Sequence, residues 1–91
     1  MKRKPLRRQS VKAAARAREF AQVRVAVFER DGWRCVLENR HGCRGPLDPH
    51  HIVRRSQGGT DSPFNLVTLC RAHHDWVHGN PAEARQLGLL K

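Results

Sequence analysis

The feature that most constrains the fold of this chain is a histidine-rich stretch that runs from His50 to His78. It holds five of the six histidines and one of the three cysteines in 91 residues. Imidazole nitrogen and thiolate sulfur are the ligands that zinc and similar metal ions prefer. Because so short a chain buries little apolar surface, a bound metal commonly stabilises domains of this size. The stretch therefore predicts a fold that is built around metal ligands.

The positive charge of the chain is concentrated at its N-terminus. Residues 1–18 contain eight Lys or Arg and no acidic residue, so they carry +8 of the formal net charge of +10 and leave +2 for residues 19–91. A sequence pI of about 11.3 indicates a polyanionic partner, usually DNA or RNA. We expect residues 1–18 to form a basic, partly disordered tail, with residues 1–9 disordered, and residues 19–91 to form one domain. The alternative is a tail that only keeps the protein soluble.

Cysteine content and hydropathy bear on the compartment. Three cysteines cannot all pair with one another, and their position among histidines favours metal ligation in a reducing compartment over disulfides. No apolar run approaches the ~20 residues of a membrane span. The basic N-terminus also lacks the apolar core of a secretory signal. We therefore expect a cytoplasmic protein that makes no membrane contact.

The N-terminal half of the sequence predicts one long helix followed by a loop. Ser10 suits the N-cap of a helix composed largely of good helix formers. This helix should end at Arg30 or Asp31, because Gly32 can then adopt the left-handed conformation that terminates helices. Residues 38–49, ENRHGCRGPLDP, contain two Gly and two Pro and are expected to form a loop.

The histidine-rich stretch itself predicts two strands and a helix, with one further helix after it. HHIVRR and FNLVTLC have the composition of short strands, and SQGGTDSP between them is a turn-forming segment. RAHHDWVHG should be helical up to Gly79. Asn80 as N-cap, Pro81 at the first helical position and Glu83 at the third fit a capping box. These residues predict a final helix over about residues 81–87.

Two histidine pairs lie at the ends of the stretch. His74 and His78 are four residues apart on a predicted helix, which places both imidazoles on one face about 6 Å apart. His50 and His51 are neighbours in a strand and point to opposite faces, so they are expected to have different roles. Either pair alone is a weak indication of a metal site. The two pairs linked by GG-x-D-x3-N-L are far more specific.

The segment HHIVRRSQGGTDSPFNLVTLCRAHHDWVH, together with the preceding ERDGWRC, resembles the HNH endonuclease motif. The resemblance covers about residues 22–88 and leaves out the basic tail. It implies an α+β fold of the ββα-metal (His-Me finger) type with a zinc knuckle, here preceded by an N-terminal helix and the tail. The resemblance extends to small free-standing HNH proteins of phages and bacteria, some of them encoded near packaging genes.

The resemblance implies roles for five residues. His51 would be the general base that takes a proton from water, and Asn65 would orient the backbone around it. His50 and His74 would ligate one catalytic divalent metal, and His78 matches a third histidine ligand that only some members have. Three imidazoles favour Zn, Ni or Co, with Mn also suitable and Mg less so. His51 must stay off the metal, because a metallated imidazole cannot accept a proton.

The three cysteines predict a second metal site. Cys35, Cys43 and Cys70 with His73 form a Cys3His set that suits one structural zinc. Family members usually have two C-x2-C pairs, whereas this chain has C-x7-C and C-x2-H. His41 is therefore an alternative fourth ligand. We expect Cys70 to precede the helix, so that it is directed away from the catalytic histidines; otherwise the cysteines are small buried apolar residues.

Basic residues should contact the nucleic acid. Arg54 and Arg55 follow the predicted base and are expected on phosphates that flank the cut, unless they are solvated surface residues. The tail cations would add a salt-sensitive contact that does not depend on base sequence. They include Lys2, Arg3, Lys4, Arg7 and Arg8. No segment resembles a base-reading helix, so low intrinsic sequence specificity is expected.

Together these features predict a metal-dependent DNA endonuclease that nicks or cleaves by hydrolysis; RNA stays open as a substrate. The family resemblance implies 5′-phosphate and 3′-hydroxyl ends. The alternatives are a non-catalytic, zinc-stabilised nucleic-acid-binding module and an accessory subunit of a phage DNA-processing or packaging machine. A phage-encoded protein would act in the cytoplasm of its bacterial host. A pure binding module does not need His51 or Asn65, which favours the nuclease. The sequence leaves open the catalytic metal, nicking versus double-strand cleavage, oligomeric state and protein partners.

Overall fold

The fold is a two-stranded antiparallel sheet with helices packed against it. A computed structural model describes residues 8–38, 40 and 42–91, with side chains from Val11 onward. In chain order the elements are α1 (Arg8–Arg30), β1 (Leu47–His51), β2 (Leu66–Cys70), α2 (Arg71–Gly79) and α3 (Pro81–Gln86). Because β1, β2 and α2 follow one another in ββα order, the predicted α+β class is confirmed.

Helix α1 begins at Arg8, so the prediction that Ser10 is its N-cap was wrong. Arg and Gln at positions 8 and 9 are good helix formers and extend the helix. Residues 8 and 9 were expected to be disordered, and this was wrong, because they are helical. The rest of that prediction concerns residues 1–7, which lie outside the described residues. The expected domain division at residue 18 falls within α1 and stays a prediction. No helix in the described part of the chain has both the length and the apolar character to cross a membrane.

The C-terminus of α1 follows the prediction. Gly32 has φ +71°, and the backbone N–H of Trp33 donates to the carbonyl of Phe28 at 2.7 Å. This pairing across the left-handed residue satisfies a helix-end carbonyl that would otherwise have no partner. The following loop then leads towards β1.

Strand β1 begins earlier and ends earlier than the sequence indicates. Leu47, Asp48 and Pro49 were expected in a loop but belong to the strand, which ends at His51. Each strand of a two-stranded sheet is an edge strand, so a proline is tolerated without loss of an internal ladder bond. The register pairs His50 with Val67.

The connection between the strands is compact and contains the predicted turns. Two single-turn 3₁₀ helices, Arg55–Gln57 and Pro63–Asn65, lie within it. Gly58 has φ +86°, and a Cβ at Gly59 would collide with the backbone carbonyl of Val53. The glycine pair therefore allows the chain to fold back closely on the end of β1.

Helix α3 and the C-terminal residues close the hydrophobic core. Buried residues from the loop between α1 and β1, from β2, α2 and α3 and from the C-terminus form one cluster, comprising Cys35, Leu37, Leu69, Cys70, Val77, Ala84, Leu89 and Leu90. The predicted capping box at Asn80 was wrong. The Asn80 side chain makes no cap bond to α3 and instead donates from Nδ2 to the carbonyl of Trp76 at 2.9 Å. Satisfying the end of the preceding helix takes precedence at this short junction.

Arg30 and Asp31 join the end of α1 to β2 and the turn before it. Arg30 donates from Nη1 to the carbonyl of Pro63 and from Nη2 to that of Leu66, both at 2.7 Å. Asp31 Oδ2 accepts from the backbone N–H of Thr68 at 3.0 Å. Burial opposes ionisation of Asp31, but hydrogen bonds from Arg30 and Thr68 outweigh it and hold the pKa of Asp31 below its usual value. This pair fixes α1 against the sheet.

We predict that Asp31→Ala lowers the free energy of unfolding by about 1–3 kcal/mol, because it leaves the Thr68 N–H without its acceptor and Arg30 without its carboxylate partner. Urea denaturation at neutral pH measures the change. Since the pKa of Asp31 is lowered by folding, its contribution is present above about pH 4 and is lost as the pH falls below that value. Glu29→Ala removes an exposed acid two residues before Asp31, and the variant should stay within about 0.5 kcal/mol of wild type. Equal losses of unfolding free energy in the two variants would rule out this clamp, by which we mean the contacts of Arg30 and Asp31 with β2 and the turn before it.

Candidate functional site

Three histidines meet where the centre of the sheet faces helix α2. His50 comes from β1, and His74 and His78 come from one face of α2. Their ligand-capable nitrogens lie within 4.8 Å of one another. The ring centroids of His74 and His78 are 4.9 Å apart, and that of His50 is 5.2 Å from His74. The arrangement fits three imidazole ligands of one metal ion.

Hydrogen bonds on the far side of the rings orient two of the three histidines. His50 Nε2 donates to the backbone carbonyl of Leu89 at 2.6 Å, and His74 Nδ1 donates to Asp48 Oδ2 at 3.1 Å. These bonds leave a lone pair on His50 Nδ1 and on His74 Nε2. Metal-bound histidines are typically held in this way by a carbonyl or carboxylate.

Asp48 was missed by the sequence analysis. It was placed in a loop, although its position two residues before His50 puts both side chains on the same face of the strand. Arg71 also contacts Asp48, with Nε 3.3 Å from Oδ2. A carboxylate at this spacing from a strand histidine is the sequence signal that was available.

Desolvation favours the uncharged form of two of the three histidines, His50 and His78. Desolvation outweighs the opposing effect of the bond to Leu89 and lowers the pKa of His50 to about 4, and the neighbouring histidines lower it further. Partial desolvation of the ring, together with His74 and Arg54, also lowers the pKa of His78. A neutral imidazole is the form that ligates metal, so at neutral pH His50 and His78 are ready to bind.

His51 lies beside the three histidines but is not one of the cluster. It lines the same cavity, of about 190 Å³, together with Pro49, His50, Arg54, Arg55, His74 and His78. His51 Nε2 donates to Asp61 Oδ1 at 2.7 Å. Its ring is stacked on that of Phe20 from α1, with centroids 6.0 Å apart and planes inclined by 6°. A carboxylate and an aromatic ring therefore fix this imidazole next to the potential metal site.

Asp61 and Phe20 are the further site residues that sequence reasoning missed. Asp61 Oδ1 also accepts from Arg55 Nε at 3.0 Å, and the Arg55 guanidinium lies 5.3 Å from the centroid of the Phe20 ring. The bond from His51, then that from Arg55, lowers the pKa of Asp61. Asp61 lies within the GG-x-D-x3-N pattern, so the sequence did contain a signal for it. The role of Phe20 depends on how α1 packs against the rest of the fold and has no such signal.

Asn65 ties together the two ends of the loop that follows His51. Its Oδ1 accepts from the backbone N–H of Val53 at 2.9 Å. Its Nδ2 donates to the carbonyls of Val53 and Thr60 at 3.0 and 2.8 Å, and its own carbonyl accepts from the N–H of Ile52 at 2.9 Å. Asn65 thus fixes the backbone at Ile52 and Val53, directly after His51, and at Thr60, directly before Asp61.

The predicted nucleic-acid contacts divide into two groups. Arg54 and Arg55 both line the cavity beside His51. The tail residues Lys2, Arg3, Lys4 and Arg7 lie outside the described residues, as does the side chain of Arg8.

A second cluster is formed by Cys35, Cys43, Cys70 and His73, whose ligand atoms also lie within 4.8 Å of one another. The three sulfurs are 3.3, 3.6 and 3.1 Å from His73 Nδ1, in chain order. One ring nitrogen carries at most one proton and cannot donate it to three sulfurs, so their convergence fits a central cation. The donor set is that of structural zinc. His41 lies outside the described residues.

The cysteine cluster is separated from the histidines by the geometry of one junction. Cys70 precedes α2 as its N-cap, as predicted, and its Sγ accepts from the N–H of His73 at 3.4 Å. His73 and His74 then differ by about 100° around the helix. Their side chains therefore join different clusters, one with the cysteines and one with His50.

The ionisation of the three thiols depends on their surroundings. Cys43 is exposed as a residue, but local desolvation of its thiol, together with the neighbouring thiols of Cys70 and Cys35, raises its pKa to about 12. Burial opposes ionisation of Cys70 as well, but hydrogen bonds from the backbone of His73 and Arg44 lower its pKa. Three adjacent thiolates repel one another unless a cation lies between them, and a bound divalent metal deprotonates its thiol ligands.

Comparison with protein families gives one match. The model described as HNH endonuclease matches residues 34–79, a segment that contains both clusters, His51, Asp61 and Asn65. Comparisons with curated proteins and with solved structures gave no match.

We predict that Cys70→Ser removes the zinc of the cysteine cluster and unfolds the domain, because structural zinc contributes its binding energy to folding. His74→Ala should leave the protein folded with that zinc in place, since His74 belongs to the other cluster. Circular dichroism and zinc content measure both outcomes. A folded Cys70→Ser protein that retains its full zinc content would contradict the assignment of Cys70 as a ligand.

Proposed function

The chain belongs to the HNH endonuclease family, and from this premise we propose that it hydrolyses phosphodiester bonds in DNA. His51 is the general base, and one divalent metal ion is held by His50, His74 and His78. The observation that carries the proposal is the position of His51, which lines the same cavity as the three histidines while its Nε2 is bonded to Asp61. The imidazole is thus available for proton transfer beside a metal site that it does not occupy.

The hydrogen bond to Asp61 determines which nitrogen of His51 takes the proton. Because a carboxylate only accepts hydrogen bonds when ionised, Nε2 carries the proton and Nδ1 has the free lone pair. The stacking on Phe20 restricts rotation of the ring, and Asn65 fixes the backbone that follows it. A positioned general base contributes about 10²–10⁴-fold to the rate. His51 and its partners are therefore proposed to activate the attacking water.

The histidine cluster supplies the remaining requirement of the reaction, which is charge stabilisation. A divalent metal there would act as a Lewis acid on the phosphate and as a counter-charge at the leaving oxygen. His50 is buried and His78 is exposed, so the cluster is accessible to a substrate from the side of His78. An all-imidazole set favours Zn, Ni, Co or Mn over Mg. The cysteine cluster, by contrast, holds a structural zinc in this proposal.

Basic residues account for binding of the nucleic acid. Arg54 and Arg55 line the catalytic cavity and are proposed to contact the phosphates next to the cut. Residues 1–18 serve as a basic tail that adds contacts without sequence preference. We propose nicking or cleavage of low intrinsic specificity, in the cytoplasm, in keeping with a role beside phage DNA-processing or packaging proteins.

We predict that His51→Ala lowers the rate of plasmid relaxation by about 10²–10⁴-fold. The reaction is assayed with Zn²⁺, Ni²⁺, Co²⁺, Mn²⁺ and Mg²⁺ added separately. The variant should bind DNA and retain metal at the level of wild type, as measured by gel shift and metal analysis. If His51→Ala nicks DNA as fast as wild type, the assignment of the base is wrong. If wild type nicks with none of these metals but binds DNA, the chain is a binding module.

We predict that Asp61→Asn lowers kcat by about 10–100-fold, since it weakens control of the protonated nitrogen and of the ring orientation. KM and metal binding should change little. Because Asp61 also pairs with Arg55, the test includes the double variant with His51→Ala. A positioning residue acts through His51, so Asp61→Asn should cost nothing further in that background. A similar loss with and without His51 would instead place its effect on Arg55 or on the loop.

A further inference from the structure

A second concave surface adjoins the catalytic cavity on the side of α1. We call it the α1 groove, and it is lined by Ala13, Arg16, Ala17 and Phe20 of α1 and by Arg55, Gly59, Thr60 and Asp61 of the inter-strand loop. It consists of two recesses of about 400 and 340 Å³. Arg16 and Arg55 line both recesses, and Arg55 also lines the cavity that contains His51. The groove and the catalytic cavity therefore meet at Arg55.

One face of α1 forms the helical wall of the groove. Ala13, Arg16, Ala17 and Phe20 are spaced i, i+3, i+4 and i+7, which places them on the same side of a helix. Val27, a further seven residues along, continues this side and is fully buried. The C-terminal half of α1 thus packs on the sheet, while the same face of its N-terminal half extends past the sheet and stays open.

The groove has an arginine on each side, and the small side chains between the two arginines let a ligand approach the helix closely. Arg16 is exposed on α1. The Arg55 side chain is 59% exposed on the opposite wall and can meet a ligand without leaving its contact with Phe20. Ala13 and Ala17 have small side chains, so a ligand can lie against the helix between the two cations. The acid of the groove is Asp61, and its Oδ1 is already bonded to His51 and Arg55.

We infer that the α1 groove binds the sugar–phosphate backbone of the DNA strand as this strand leaves the catalytic cavity, with Arg16 as the principal phosphate contact. The inference rests on the proposed function, because the occupant is identified by the continuity of the groove with the cavity that would hold the scissile phosphate. Four residues of helix separate Arg16 from Phe20, a rise of about 6 Å. Arg16 is thus positioned for a phosphate beyond those that Arg54 and Arg55 contact.

The experiment compares Arg16→Glu with Arg18→Glu. Both residues are exposed arginines of α1, so the two variants change the charge equally, but Arg18 lies about 200° around the helix from Arg16 and faces away from the groove. Binding to a fluorescent oligonucleotide is measured by anisotropy over a range of salt concentrations. The measurements are made in a His74→Ala background, which prevents cleavage and lies outside the groove.

Arg16→Glu is expected to weaken binding on the order of tenfold more than Arg18→Glu, and to lower the slope of log K against log salt by about 1 relative to it. Arg16→Lys should restore most of the affinity, because it keeps the cation. Equal losses from Arg16→Glu and Arg18→Glu would overturn the inference, since they would show only a general effect of charge. If circular dichroism shows that Arg16→Glu unfolds α1, the matched pair Arg16→Ala and Arg18→Ala decides by the same criterion.

The outcome separates this inference from the proposed function. If wild type nicks plasmid but the two charge reversals bind equally, the nuclease assignment stands and the groove does not bind the strand. If wild type fails to nick with every metal while Arg16→Glu alone loses affinity, the groove binds nucleic acid and the proposed catalytic activity is wrong.

Discussion

Two pairs of adjacent histidines, each divided between two sites, are the constraint on which the rest of this structure depends. In β1, His50 joins the histidine cluster while His51 faces Asp61 and Phe20, because neighbouring strand residues point in opposite directions. In α2, His73 joins the cysteines and His74 joins His50, because neighbouring helix residues differ by about 100°. The antiparallel pairing of β1 with β2 then brings these elements together, since Cys70 ends β2 and is the N-cap of α2. Secondary-structure periodicity thus separates the proposed base from the potential metal ligands.

The burial of His50 links the site to the end of the chain. An imidazole in the core loses its hydration, so its polar nitrogens need partners. The carbonyl of Leu89 meets one nitrogen, and a metal ion between the three histidines would meet the other. Leu89 and Leu90 are themselves buried after the turn at Gly88. The C-terminal segment therefore both completes the core and selects the tautomer of His50, which connects folding to metal binding.

The sequence was sufficient for the parts of the site that lie close together in the chain. The i, i+4 spacing of His74 and His78, the C-x2-H of Cys70 and His73, and the HNH-like pattern predicted the residues that the structure brings together. Asp48, Asp61 and Phe20 were not assigned roles, because each contacts a histidine through the tertiary fold: Phe20 is 31 positions before His51. The errors at Ser10 and Asn80 have a related cause, since capping preferences are weak and a neighbouring helix end or a good helix former outweighs them. Local periodicity and the HNH-like pattern are thus readable from sequence, whereas contacts between distant elements that lie outside that pattern are not.

Helix α1 connects the features that lie outside the ββα unit. Its C-terminus is fixed to β2, because Arg30 donates to the Leu66 carbonyl and Asp31 accepts from the Thr68 N–H. Phe20, ten residues before Arg30 in the same helix, is stacked on His51. Ten residues of helix span about 15 Å, and a continuous helix keeps its two ends in a fixed orientation over that length. The position of Phe20 on the proposed base is therefore set by the clamp at the other end of the helix. The same rigidity holds the open face around Arg16 over the loop of Asp61, so one element both orients the base and forms a wall of the groove beside it.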